Sequence, residues 1–338
     1  MAIHDQTTQF FGRPVANYSR EQGLSDPKGH AYRIFMEYDE VDEEEDDSAE
    51  PGKSGFLSTL TGRKTSAKPL TFAEKFTRMT ADPNCSQIEA LLVGGWGDAY
   101  DNTSAVVVEA LVAARDRLPS LRALFIGDMT SEECEISWIR QSDISSLYAV
   151  YPKLEWLQIR GGDGLELGRS MELPNLRGLV IEAGGMGASV LKSLSHARLP
   201  ALEHLELWLG TDEYGWDGGL EDIDPLLREV RFPKLRYLGL RNFEQIDELA
   251  PRLVDAPVMK GVETLDLSLG NLSDEGGAEL LKLARGGSLK HLDLHHHYLS
   301  EGMMKSLSAL PFNVNLDERC EPDDWGDGKE HRYIAVSE

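Results

Sequence analysis

Apolar positions recur along this chain in one six-residue pattern. The first, fourth and sixth places are always Leu, Ile or Val. Near the C-terminus it reads Leu289-Lys290-His291-Leu292-Asp293-Leu294, and upstream Val262-Glu263-Thr264-Leu265-Asp266-Leu267 and Leu235-Arg236-Tyr237-Leu238-Gly239-Leu240. Further copies begin at Leu202, Leu176, Leu154, Leu121 and Ile88. Alternation of the fourth to sixth places is the period of a strand with one buried face. The mean step between copies is about 29 residues. The intervening segments 103–118, 186–194, 246–254 and 274–284 carry apolar residues at helical spacing. Each unit therefore predicts strand, turn, helix and return loop, with the strands side by side and parallel.

The phrase is that of leucine-rich repeats, and its recurrence predicts an α/β solenoid: a horseshoe with a parallel concave sheet, convex helices and terminal caps. The asparagine usual after the second strand leucine is missing. Its places hold Met129, Gly162, Gly184, Gly210, Phe243, Gly270 and His297, while Asn242 and Asn271 each miss by one. The second place of the phrase alternates in charge through Glu89, Arg122, Glu155, Arg177, Glu203, Arg236, Glu263 and Lys290. Neighbouring strands lie about 4.8 Å apart, so alternation sets opposite charges side by side and favours one register.

Residues 1–80 lie outside the repeat and read as an N-terminal cap. Its two strands are 10–15 and 31–38, and a short helix follows over 72–79. Within the cap, residues 39–56 form an acidic insertion containing Asp42-Glu43-Glu44-Glu45-Asp46-Asp47, a run that repels itself and stays solvated. The repeats occupy 81–316, ending in a ninth strand near 312–316. Residues 317–338 read as a C-terminal cap over the edge of that last strand. Glycine-rich turns after the strands, such as Gly94-Gly95-Trp96-Gly97 and Gly184-Gly185-Met186-Gly187, lack the spacing of a dinucleotide site. The same turns carry Asp98, Asp101, Asp128, Asp163, Asp212, Glu213, Asp217 and Asp274, which make one rim acidic.

Charge narrows the partners. The 338 residues carry 58 acids against 34 bases, a formal charge of −24. That disfavours nucleic acid and anionic membranes, both of which need basic surface. The three cysteines are odd in number and far apart, as in a reducing cytoplasm. The start has no basic-then-apolar leader, and no apolar run reaches the roughly 18 residues of a membrane span. The expected location is cytoplasmic.

Concave side chains come from the third and fifth places and the residue after the phrase. The third row is Ala90, Ala123, Trp156, Gly178, His204, Tyr237, Thr264, His291, and the fifth is Leu92, Phe125, Gln158, Val180, Glu206, Gly239, Asp266, Asp293. The following row is Gly94, Gly127, Arg160, Glu182, Trp208, Arg241, Ser268, His295. Trp, Tyr and Arg dominate binding hot spots. Trp156, Arg160, His204, Glu206, Trp208, Tyr237, Arg241, Asp266 and Asp293 are therefore the expected contacts for a protein or peptide partner. No nucleophile–base motif stands out, and no cofactor is expected; the function read here is non-catalytic binding. The alternative is a metal-dependent enzyme or metallochaperone using His291, Asp293 and His295, since with Asp266 on the neighbouring strand two imidazoles and two carboxylates share one face and suit a transition metal. A third reading is a regulator gated by the acidic arm.

The start Ile3-His4, the stretch Phe11-Gly12-Arg13-Pro14-Val15, the first turn Gly94-Gly95-Trp96-Gly97 and the close at 333–338 resemble a family of bacterial cytoplasmic leucine-rich-repeat proteins with ribonuclease-inhibitor-like repeats. The family has no assigned reaction. The resemblance implies binding, and an accessory role beside radical-SAM and ATP-grasp-like enzymes of a biosynthetic cluster.

Overall fold

The structure is a computed structural model that describes residues 6–36, 70–228, 232–285, 287–326 and 328–337. The acidic insertion at 39–56 lies outside the described residues. Twelve strands form one open sheet in chain order. They are β1 Gln9–Phe10, β2 Arg13–Asn17, β3 Ala31–Ile34, β4 Ala90–Val93, β5 Ala123–Ile126 and β6 Trp156–Arg160, then β7 Gly178–Glu182, β8 His204–Gly210, β9 Tyr237–Phe243, β10 Thr264–Asp266, β11 His291–Asp293 and β12 Asn313–Asn315. Within this sheet all pairs from β2 to β12 are parallel and β1 and β2 run antiparallel; a separate antiparallel pair joins Asp323–Asp324 to Glu330–His331.

The register follows from the leucines. Leu91, Leu124, Leu157, Leu179, Leu205, Leu238, Leu265 and Leu292 are successive partners and end on Val314. All eight are buried in one continuous core. The other wall of that core is helical: α1 Phe72–Thr80, α2 Ala105–Ala113, α3 Ser146–Val150, α4 Ala188–Leu194, α5 Leu220–Arg228, α6 Ile246–Val254, α7 Asp274–Leu280 and α8 Glu301–Leu307. The shortest step, from Leu154 to Leu176, has no room for a helix. Between β6 and β7 the buried Leu165, Leu167, Met171 and Leu173 fill the convex side from irregular backbone.

The alternating charges stack as the spacing requires. Each N–H at that place donates to the carbonyl of its predecessor, from Arg122 on Glu89 to Lys290 on Glu263. The side chains pair Arg122 with Glu155 (2.6 Å), Arg177 with Glu203 (2.8 Å) and Lys290 with Glu263 (2.7 Å). Arg13 extends the ladder onto Glu89.

Three local expectations change. Residues 10–15 are not one strand: Phe11 and Gly12 both take positive φ (50° and 70°), so the chain reverses into the β1–β2 hairpin. The missing asparagine has a substitute in the last coil. His297 is fully buried; its Nε2–H donates to the Leu316 carbonyl and its Nδ1 accepts from the Leu299 N–H, the backbone-tying work an asparagine would do. Finally, the C-terminal segment turns back along the strand ends: the Ala335 N–H donates to the Leu269 carbonyl (2.8 Å), and the Val336 N–H to the Asn242 side chain (3.0 Å).

Two outcomes follow. Leu238→Ala lowers unfolding free energy by about 2–5 kcal/mol, whereas Lys290→Ala on the half-exposed ladder changes it by less than about 1 kcal/mol; urea denaturation separates them. Burial weakens proton binding at His297. The unfolded chain therefore takes up more protons below the ordinary value of 6.5, and this contribution to stability, complete above it, is lost as pH falls. Thermal melts should fall less steeply below pH 6.5 for His297→Asn than for the parent chain.

Candidate functional site

The concave rows lie where the repeat put them: Trp156↔Gly178↔His204↔Tyr237↔Thr264↔His291 in one and Gln158↔Val180↔Glu206↔Gly239↔Asp266↔Asp293 in the next. They are not equally open. At the N-terminal end the hairpin folds over the sheet, and Phe10 buries Ala90, Leu92, Ala123 and Phe125 in a second small core. Its ring lies 6.0 Å from Phe125. The hairpin is tied at its root by Thr7, which donates to Asp128 (2.6 Å), and Asp128 also takes the buried Arg33 at 2.6 Å.

The middle of the face is an aromatic band. A Cβ at Gly178 would stand 2.0 Å from the Trp156 ring, so the glycine leaves the indole room to lie across β7. Trp156 thereby reaches His204, two strands away, at 5.1 Å between ring centres, and His204 stacks on Tyr237 at 3.9 Å and 8°. All three rings are half-buried. Between the hairpin and this band opens a cleft of about 520 Å³, walled by Phe10, Phe11, Trp156 and His204, with Glu155 and the Arg177–Glu203 pair at its lip.

Behind the band lies a charged network. Glu206 accepts from Trp208 Nε1 (2.8 Å), Arg241 (2.7 Å) and the Tyr237 hydroxyl (3.2 Å). Tyr237 also donates to Asp266 at 2.6 Å, and Arg241 lies over the Trp208 ring. Burial by itself would raise the Glu206 carboxyl; the hydrogen bond from His204, the Arg241 charge and the bonds from Trp208 and Arg241 overcome it and hold the group at about 2. Burial beside two carboxylates pushes the Tyr237 phenol up, so it stays a donor. Arg160 makes a comparable buried pair with Glu182 at 2.6 Å.

The expected contacts thus separate. Trp156, His204 and Tyr237 present open ring surface, and Arg241 and Asp293 are partly open. Arg160, Glu206 and Asp266 are buried in ion pairs or hydrogen bonds. Trp208 is 6% exposed and packs under Val336 with Ile136 and Leu269. For a metal, no group of three His, Cys, Asp or Glu side chains among the described residues is placed to hold one. The Asp293 carboxylate is engaged by the His295 ring (2.8 Å) and Asn315 (3.1 Å), and His291 is exposed. Phe10 and Phe11 were missed as site residues. Their signal was the apolar N-terminal third of the concave face, which needs a cover.

The architecture is that of a leucine-rich-repeat solenoid. No family model matches the chain, and no curated protein does. Among solved structures, the crystal structure of a Bacteroides fragilis protein is similar at 30% identity with a TM-score of 0.67, covering 78% of this chain and 72% of its own. The chain belongs to the family of that Bacteroides protein. An internalin of Listeria monocytogenes is also matched, at 15% identity and a TM-score of 0.36 over 74% of this chain and 57% of the internalin, too loosely to carry an argument. Among the described residues, no helix is long and apolar enough to cross a membrane.

The network sets an acid limit. Because the folded Glu206 carboxyl sits near 2 rather than 4.5, its contribution is complete above about pH 4.5 and is lost as pH falls toward 2. Glu206→Gln should cost stability at neutral pH, leaving Arg241 with Asp266 as its remaining carboxylate at 3.4 Å, and flatten the decline between those two values in acid-unfolding curves.

Proposed function

We propose that this protein is a non-catalytic scaffold that grips a protein or peptide segment on its concave face. The observation that carries the reading is the half-open band Trp156–His204–Tyr237, next to a cleft walled by Phe10 and Phe11. Aromatic side chains of this kind give large contact area for few rotatable bonds. Here they are already held: Trp156 by the space at Gly178, His204 between two rings, and Tyr237 by Asp266. A segment lying across the strands meets the rings in turn.

The partner class follows from charge as well. With 58 acids against 34 bases the surface repels phosphate backbones, which favours protein over nucleic acid. Three unpaired cysteines fit a reducing cytoplasm. A scaffold of this sort suits the accessory role beside biosynthetic enzymes that the family resemblance implies.

Affinity capture of the tagged chain from its native host, followed by reconstitution with the purified partner, tests the proposal. Trp156→Ala with Tyr237→Ala should weaken binding by about 30-fold or more, the scale of hot-spot loss. The convex-side control Val106→Ser should leave it unchanged. A partner that binds the double variant as tightly as the parent chain would refute the concave site.

A further inference from the structure

The C-terminal segment is bound to the rest of the molecule in the manner of a peptide ligand. Within 317–330 no described residue is buried, and Trp325 is 65% exposed. The chain then enters a groove on the rim where β7, β9 and β10 end. Arg332 pairs with Asp247 at 3.2 Å. Tyr333 exchanges two hydrogen bonds with the Tyr298 hydroxyl, donating through its N–H (3.0 Å) and accepting through its carbonyl (3.2 Å). The Ala335 N–H donates to the Leu269 carbonyl.

The decisive contact is at Asn242. Its amide oxygen accepts from the Val336 N–H and its amide nitrogen donates to the Val336 carbonyl, so one side chain reads both polar groups of one residue. Asn242 holds a left-handed φ of 51° and is fully buried, a conformation that asparagine tolerates better than most residues. The Val336 side chain enters an apolar socket of Ile136, Trp208 and Leu269. At the far end a Cβ on Gly184 would stand 2.4 Å from the Ser337 carbonyl oxygen, so glycine lets the segment lie close. Arg332, Ile334 and Val336 stand at two-residue spacing, and Ile334 and Val336 are buried.

We propose that this rim groove is a peptide-binding site, distinct from the concave cleft, and that residues 332–337 are its ligand tethered in cis. Its recognition set is a basic residue followed by two aliphatic residues at two-residue spacing: the acid Asp247 takes the cation, the socket takes the last aliphatic side chain, and Asn242 takes the backbone. A partner segment of that chemistry exchanges with the tail. The strands of the exposed tether pair only with each other, Asp323–Asp324 against Glu330–His331, so the tail can leave without disturbing the twelve-stranded sheet.

The test uses the chain with a protease site inserted at Gly326, cut after folding, and a fluorescent synthetic peptide of residues 332–337. We expect the cut chain to release its tail on gel filtration and then bind the peptide one to one. The uncut chain should bind at least tenfold more weakly, because its own tail competes. A peptide carrying Val336→Asp, or one of scrambled order, should not bind. A chain truncated after Gly328 that keeps its circular dichroism should match the cut chain; if truncation prevents folding, the cut chain decides. A tail that stays attached after cutting and excludes added peptide, or a scrambled peptide that binds equally, would overturn the proposal.

Discussion

Stacking of one leucine on the next is the interaction on which the rest of this molecule depends. From Leu124 to Leu265 each leucine of the row finds a leucine on either side, and the row closes on Tyr32 beside Leu91 and Val314 beside Leu292. No coil closes a core alone, so each coil's stability is largely its contact with the next. Strand alternation then leaves no choice about the other face: with the leucines inward, the third, fifth and following places must line the concave wall. Everything chemical about the protein is a consequence of what fills those places.

A wall of exposed sheet is a hazard, and the chain handles it in three ways along its length. At the N-terminal end Phe10 covers the apolar stretch. In the rows nearer the strand ends, Arg33–Asp128, Arg160–Glu182 and Arg241–Glu206 put charges face to face. Beyond these, Val336 closes over Trp208. What these devices leave open in the middle of the face is chiefly the third row, with Trp156, His204 and Tyr237. Buried ion pairs are weak contributors to net stability because desolvation offsets their attraction, so their role here is better understood as orientation. Arg241 holds Glu206 and Asp266, these two carboxylates fix Tyr237, and Tyr237 stacks on His204.

The repeat phrase makes the solenoid, its register and the charge ladder legible in the sequence, because each depends only on residues at fixed spacing. The concave rows were legible for the same reason. Which of their members are open was not. Phe10 and Phe11 reach the face through a two-residue turn that lacks the Asn-Gly or Asp-Gly signal of such hairpins. Val336 reaches Trp208 from 128 residues away in sequence. Trp208 thus reads in sequence as a hot-spot residue and in three dimensions as a socket wall. His297 shows the opposite case: it stands in the asparagine place and looks like part of a histidine cluster, yet it serves the backbone. Residue type alone cannot separate these roles, because burial of a single side chain is decided by segments distant along the chain.

The two surfaces differ in how they would use binding energy. The aromatic band is fixed before a partner arrives: Trp156 is seated over Gly178, His204 is stacked on Tyr237 with Trp156 tilted against its other side, and the Tyr237 hydroxyl is held at 2.6 Å by Asp266. Side chains already ordered lose little entropy on association, which leaves more of the contact energy as affinity. The rim groove is already filled, so any incoming segment must outcompete a ligand whose local concentration is set by its tether. On the two proposals made above, a molecule built from one repeated coil would carry a wall suited to standing engagement and a rim suited to exchange. Both arise at the places where side chains of the repeat meet the non-repeating ends of the chain.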